Sequence, residues 1–427
     1  MDKVKKITLK NGMDLLLVPQ TGAASMTLLV LSKVGSRYET AKLSGASHFI
    51  EHLMFKGTEK RPTTRDISQE LDGYGAEYNA YTGKDMTGYY VKMDAAHTDV
   101  AVDMLHDMLF HSKFDAEELN RERGVILEEI KMYEDNPRDH IADLLEGKLF
   151  QGSTLGWNIA GSRKTVSGMR RADMLAYRDA YYVPGRMTVI LAGKILPGVQ
   201  QLFAKTFGHV TAPKKRADAP FACFKNPRKI AQPIAYLEKK TEQVQLVLGF
   251  YGLPYGHADK QAAQLLGLIL GGTMSSRLFI EIRERRGLCY AIRAGHDSLE
   301  DTGAFTVSAG LDKARFPEAI KAIYGELNRI MQEPVSKGEL ERAKEHIQGR
   351  MRLAFEDSAA RAEWYGRQWL FERKLETPEK RLAKIRQVTA DDIRRVARSL
   401  LNPQRMAIAA IGPLGNAAKF KSLISWK

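Results

Sequence analysis

His48-Phe49-Ile50-Glu51-His52 combines residue types and spacing that could do chemistry. On a helix turning once every ~3.6 residues, His48 and His52 lie one above the other on a single face, near enough for two neutral imidazoles to hold one metal ion. Glu51 follows His48 by three residues and adjoins His52, so its carboxylate reaches the open coordination position without being a ligand. Two imidazoles that fix Zn²⁺ and a carboxylate that takes a proton from its water are what a metal-assisted hydrolase requires. The order inverts that of His-Glu-x-x-His, an inversion known among zinc peptidases.

Zinc held in this way lacks one protein ligand. Glu122 and Glu129 stand seven residues apart in Arg121-Glu122-Arg123-Gly124-Val125-Ile126-Leu127-Glu128-Glu129-Ile130 and share a helical face two turns long. Glu129 can complete a His₂Glu site, and Glu122 could orient a ligand imidazole from behind it. The neighbouring apolar residues Val125, Ile126 and Ile130 predict that this helix is partly buried.

These residues need elements to carry them. Periodicity predicts strands over Met13–Val18, Met26–Val34, Asn79–Thr82 and Thr87–Met93, and helices over Gly45–Phe55, Thr64–Tyr74, Ala96–Phe110 and Asp115–Tyr133. Asn136-Pro137 opens a further helix, with Asn136 as its cap. The first residues alternate apolar and basic up to Asn11-Gly12, which predicts a hairpin where a signal peptide would need a continuous apolar run. Residues 166–190 are echoed by 388–408, and 117–135 by 338–357, at an offset near ~220 residues, so the halves read as duplicated α+β domains. A Pro- and Lys/Arg-rich stretch separates them. The division is an N-terminal zinc-binding domain over 1–212, a linker over 213–232, and a C-terminal domain without a metal motif over 233–427.

Composition narrows the field further. With 44% hydrophobic and 27% charged residues over 427 positions, the chain is globular rather than disordered or collagenous. Its longest nearly apolar run, 262–274, is too short for a membrane span. Two cysteines, Cys223 and Cys289, are too few for a disulfide framework, which fits a reducing cytoplasm, although a periplasmic home is also compatible. The net charge of +14 is dispersed and not interleaved with aromatics, so nucleic acid is not an expected partner.

The chain resembles the pitrilysin and insulin-degrading family of zinc metallopeptidases. The resemblance lies in His48-x-x-Glu51-His52, in the Glu122/Glu129 pair, and in the 76 residues between His52 and Glu129. Val34-Gly35-Ser36-Arg37-Tyr38-Glu39 and Asn79-Ala80-Tyr81-Thr82 extend it, and Gly271-Gly272-Thr273-Met274-Ser275-Ser276-Arg277-Leu278-Phe279 is similar to the second-domain signature of the family's short branch, which includes mitochondrial processing peptidase. The resemblance implies an α+β fold of two duplicated domains, each an antiparallel-rich sheet packed with helices, forming half of a clamshell.

It also implies one Zn²⁺ per chain, held by His48, His52 and Glu129, with Glu51 as base and Glu122 supporting a ligand. Arg283 and Tyr290 would hold the substrate and polarise its carbonyl oxygen. Asn79 and Ala80 would lie on an edge strand that takes up the substrate as an extra strand, and Phe55 joins them among the candidate substrate-binding residues. The implied activity is endopeptidase cleavage of unfolded peptides or short polypeptides in a closed chamber, which the chain would complete as a homodimer or with a related chain. A noncatalytic structural or partner subunit is the alternative, disfavoured because every His and Glu of the motif is present.

Overall fold

The structure, a computed structural model, describes residues 3–211 and 221–426. β1 (Lys5–Thr8) and β2 (Asp14–Pro19) pair as the predicted antiparallel hairpin, and Gly12 supplies the positive φ of 85° in its turn. With β3 (Ser25–Ser32), β4 (Glu77–Thr82), β5 (Thr87–Asp94) and β6 (Met187–Gly193) they form a sheet ordered β1-β2-β6-β3-β5-β4. A second sheet holds β7 (Ile234–Glu238), β8 (Gln243–Tyr251), β9 (Cys289–Ser298), β10 (Gly303–Asp312) and β11 (Met406–Gly412), ordered β7-β11-β8-β10-β9.

Setting β1 aside, the two orders correspond strand for strand. Each sheet has one parallel pair, β2 with β6 and β7 with β11, and is otherwise antiparallel. The duplicated α+β architecture expected from the sequence is the observed one.

Contacts divide the described residues into two compact units. The first takes those within Met1–Lys131, Trp157–Phe221 and Met351–Glu376; the second takes those within Met132–Gly156, Ala222–Arg350 and Thr377–Lys427. The units are therefore not the two continuous stretches of a linear division at 213–232. Helix Pro137–Leu149 comes from the first half of the chain but buries Ile141, Leu145 and Leu149 with Val247, Ala409 and Ile411 of the second sheet. Its counterpart, helix Ser358–Glu372, packs Ala362, Tyr365 and Leu370 with Leu29, Leu31 and Ile190 of the first. Close approach requires the glycine on this second helix, because a Cβ on Gly366 would stand 2.8 Å from the Leu31 side chain. Of the expected linker, 213–220 lie outside the described residues, whereas Ile230 is buried in the core of the second unit.

In the first unit, alternation along β3 sends Met26, Leu28 and Val30 to one face of the sheet and Leu29 and Leu31 to the other. The first face receives helix Ala46–Leu53, which carries the His-x-x-Glu-His motif and buries Ala46, Phe49, Ile50 and Leu53. Among the described residues no helix is long and apolar enough to cross a membrane.

Candidate metal centre

With Phe49, Ile50 and Leu53 committed to the core, the motif helix turns His48 and His52 together toward helix Ala116–Asp135. That longer helix buries Leu119, Ile126 and Ile130, which fixes the face bearing Glu122 and Glu129. Val125, expected to share this burial, is instead 52% exposed, because it precedes Ile126 by one residue and points about 100° away around the helix.

The Nε2 atoms of His48 and His52 stand 3.2 Å apart, and Glu129 Oε2 is 3.6 Å from each. Ligand atoms about 2.0–2.1 Å from a tetrahedral zinc stand about 3.3–3.4 Å from one another, so these three separations fit three corners of such a site. Among the described residues, His48, His52 and Glu129 are the only group of three or more His, Cys, Asp or Glu side chains placed to hold a metal ion.

Protonation states also suit a metal. His52 Nδ1 stands 2.7 Å from Glu122 Oε1, and the tautomer that donates this bond turns Nε2 toward His48 and Glu129 as a ligand atom. Burial, assisted by His52, pushes the His48 imidazolium down to about 4, so this ring is neutral near pH 7. His48 differs from His52 in one respect: its Nδ1 is buried without a hydrogen-bond partner among the described residues.

Glu122 is 5% exposed. Burial alone would raise its carboxyl, but His52 and the Lys56 ammonium, 2.6 Å from Oε2, hold it below the usual range. Sequence reasoning missed Lys56, which lies just beyond the end of the motif helix, although a basic residue four positions after His52 was a usable signal. Thr82 has no role assignable from the sequence alone. It lies on the same face of β4 as Ala80 and donates its hydroxyl to Glu51 Oε2 at 2.5 Å. Burial raises the Glu51 carboxyl, the Thr82 bond opposes that, and the charges of His52 and Glu129 both act on it.

The remaining predicted residues fall in two places. β4 is the outermost strand of the first sheet, with only β5 beside it, and carries Asn79 and Ala80; Asn79 Oδ1 accepts from the Ala80 N–H at 2.8 Å. Phe55, just beyond the motif helix, is half-buried against the core. Arg283 and Tyr290 belong to the second unit and are neighbours there: the guanidinium carbon lies 5.4 Å from the centre of the Tyr290 ring and 4.6 Å from that of Phe279. Tyr290 occupies a bulge in β9, unpaired between Cys289 and Ala291, and is 65% exposed.

The arrangement is thus that of one unit carrying a candidate metal site and a second, duplicated unit in which no such group occurs among the described residues. Residues 16–163 match the sequence model of Insulinase (Peptidase family M16), and residues 168–347 match that of the Peptidase M16 inactive domain. An uncharacterized zinc protease of Bacillus subtilis is 34% identical over 413 residues, covering 97% of this chain and 99% of that protein. Another, from Streptomyces coelicolor, is 35% identical over 416 residues, covering 96% and 90%. The chain belongs to the insulinase family of peptidases, M16. Among solved structures, a protease from Helicobacter pylori superposes with a TM-score of 0.91 at 23% identity over 96% of this chain and 99% of that one. A peptidase M16 inactive domain structure from Pseudomonas fluorescens gives 0.87 at 20%, over 96% and 98%. These two structures share the fold.

Proposed function

We propose that this chain is a zinc-dependent endopeptidase acting on unfolded peptides or short polypeptides. The observation that carries the proposal is the convergence of His48 Nε2, His52 Nε2 and Glu129 Oε2 at the edge lengths of one tetrahedral site. These three side chains would hold the zinc, whose charge, when bound, lowers the pKa of a water and polarises a peptide carbonyl. Glu51 takes the proton from the attacking water, with Thr82 fixing one carboxylate oxygen so that the other is free to accept. The outer edge of β4, at Asn79 and Ala80, takes up the peptide by main-chain pairing, which tolerates many sequences. The names of the relatives support the metal and the peptide-bond chemistry. The test is to digest an unfolded polypeptide, map the products by mass spectrometry, and repeat with a chelator and with zinc restored. Internal cuts that vanish and return with zinc support the reading; exclusively terminal trimming contradicts the endopeptidase assignment.

Glu122 is proposed to orient His52 and strengthen it as a ligand. Glu122→Gln retains an acceptor for the Nδ1–H but removes the charge, and should weaken zinc binding about 10- to 100-fold, read as a zinc Kd by competition with a chromophoric chelator. An unchanged Kd would show that Glu122 serves only to pack the two helices.

Arg283 and Tyr290 are proposed, on the resemblance and on their adjacency, to hold the substrate and its carbonyl oxygen. Tyr290→Phe removes one hydroxyl from a side chain that is 65% exposed, so the melting temperature and zinc content should not change. If the phenol donates to the developing oxyanion, kcat should fall roughly 10- to 10³-fold with a smaller change in KM. A lowered melting temperature with kcat intact would identify a packing role. Pairing with a second copy or a related chain, also implied by the resemblance, is read from the mass of the purified chain in solution.

A further inference from the structure

The motif helix begins without a cap of its own. Gly45, at its N-cap, has φ of 97°, and no side chain of that residue is available to meet the first amides. Nothing larger fits there, since a Cβ on Gly45 would stand 2.6 Å from the Ala160 carbonyl oxygen. Gly45 and Ser47 are buried, so water cannot satisfy their amides either. What meets them is a side chain from six residues upstream. Glu39, 4% exposed, accepts from the Gly45 N–H through Oε2 at 2.7 Å and from the Ser47 N–H through Oε1 at 2.8 Å.

We propose that Glu39 is a positioning residue of the metal centre, acting as the missing N-cap of the motif helix and thereby fixing His48. The inference rests on the reading of His48 as a zinc ligand. His48 is the third residue of the helix, inside the turn that Glu39 ties down, whereas His52 lies a full turn further on. The rings also differ in support. His52 is oriented by Glu122, but His48 Nδ1 has no partner among the described residues, so the first turn of backbone and its packing are what hold that ring. Burial pushes the Glu39 carboxyl up to about 8 against the lowering pull of the Ser47 and Gly45 amides, the Ser47 hydroxyl and the Lys84 ammonium; the cap itself stands on the geometry, one backbone N–H donated to each oxygen.

Glu39→Gln keeps the shape but turns an amide NH₂ toward one of the two backbone N–H groups. The zinc Kd of the folded variant, measured against a chromophoric chelator, should rise about 10- to 100-fold, and in metal-free protein the Ser47 amide should exchange with solvent faster than in the wild type. A role confined to folding would lower the melting temperature and leave Kd where it was. Wild-type affinity in folded Glu39→Gln overturns the assignment. If Glu39→Gln does not fold, the shorter carboxylate of Glu39→Asp is measured in its place with the same criterion, and rapid exchange of Ser47 in metal-free wild type overturns the cap without any variant. A wild-type chain that binds no zinc overturns the site reading itself, an outcome distinct from a zinc-binding wild type matched by its variant.

Discussion

Glu51→Gln should abolish peptide hydrolysis while the chain keeps its zinc. The substitution preserves the volume at a half-buried position and leaves an oxygen to accept from Thr82, so the motif helix and β4 stay in register. His48, His52 and Glu129 are untouched, and the donor set remains complete. What is lost is proton affinity. A carboxylate raised by burial is a better base near neutral pH than an exposed one, and an amide is no base at all. Loss of a general base costs on the order of 10²- to 10⁴-fold or more, which brings turnover to background. Metal content by elemental analysis and turnover of a quenched peptide on one preparation check both halves. Full turnover in metal-replete Glu51→Gln would remove Glu51 from the mechanism.

His52→Ala should have an equally large effect by the opposite route, emptying the site of metal. It deletes one of three converging donors and leaves the Glu122–Lys56 pair with no imidazole to orient. Two remaining protein ligands do not make a structurally competent zinc site, and neither Glu122 nor Lys56 can replace a ring nitrogen. His48→Ala should do the same. Zinc per chain is expected to fall from near one to a small fraction after dialysis, with loss of hydrolysis in proportion, while circular dichroism stays that of the parent. Stoichiometric zinc in His52→Ala would contradict the assignment of this ring as a ligand.

Much of this was legible because helical and strand periodicities are local. The spacing of His48 and His52 places them on one face whatever the helix packs on, and the Glu122/Glu129 spacing does the same for the longer helix. The alternation over Asn79–Thr82 read correctly as a strand, but nothing local shows which strand ends a sheet; the edge position of β4 came from the resemblance and is observed in the sheet order. What stayed hidden depends on tertiary choice. The apolar stripe of Pro137–Leu149 shows that the helix is buried, not that it packs on β8 and β11 of the other half. Glu39 reaches Gly45 and Ser47 across a loop, and no periodicity links residues six and eight positions apart through a turn. The partly buried helix expected from Val125, Ile126 and Ile130 is observed through Ile126 and Ile130, while Val125, one step along the helix from Ile126, points to solvent.

The central claim, that one zinc held by His48, His52 and Glu129 supports peptide-bond hydrolysis, is tested most directly by a zinc titration of metal-free wild-type chain with the rate followed on a quenched peptide. The rate should rise linearly with bound zinc and stop at one zinc per chain, the same titration giving no rise in Glu51→Gln although zinc still binds. Hydrolysis by metal-free chain, or fully zinc-loaded chain that cleaves no peptide in a diverse library, would contradict it.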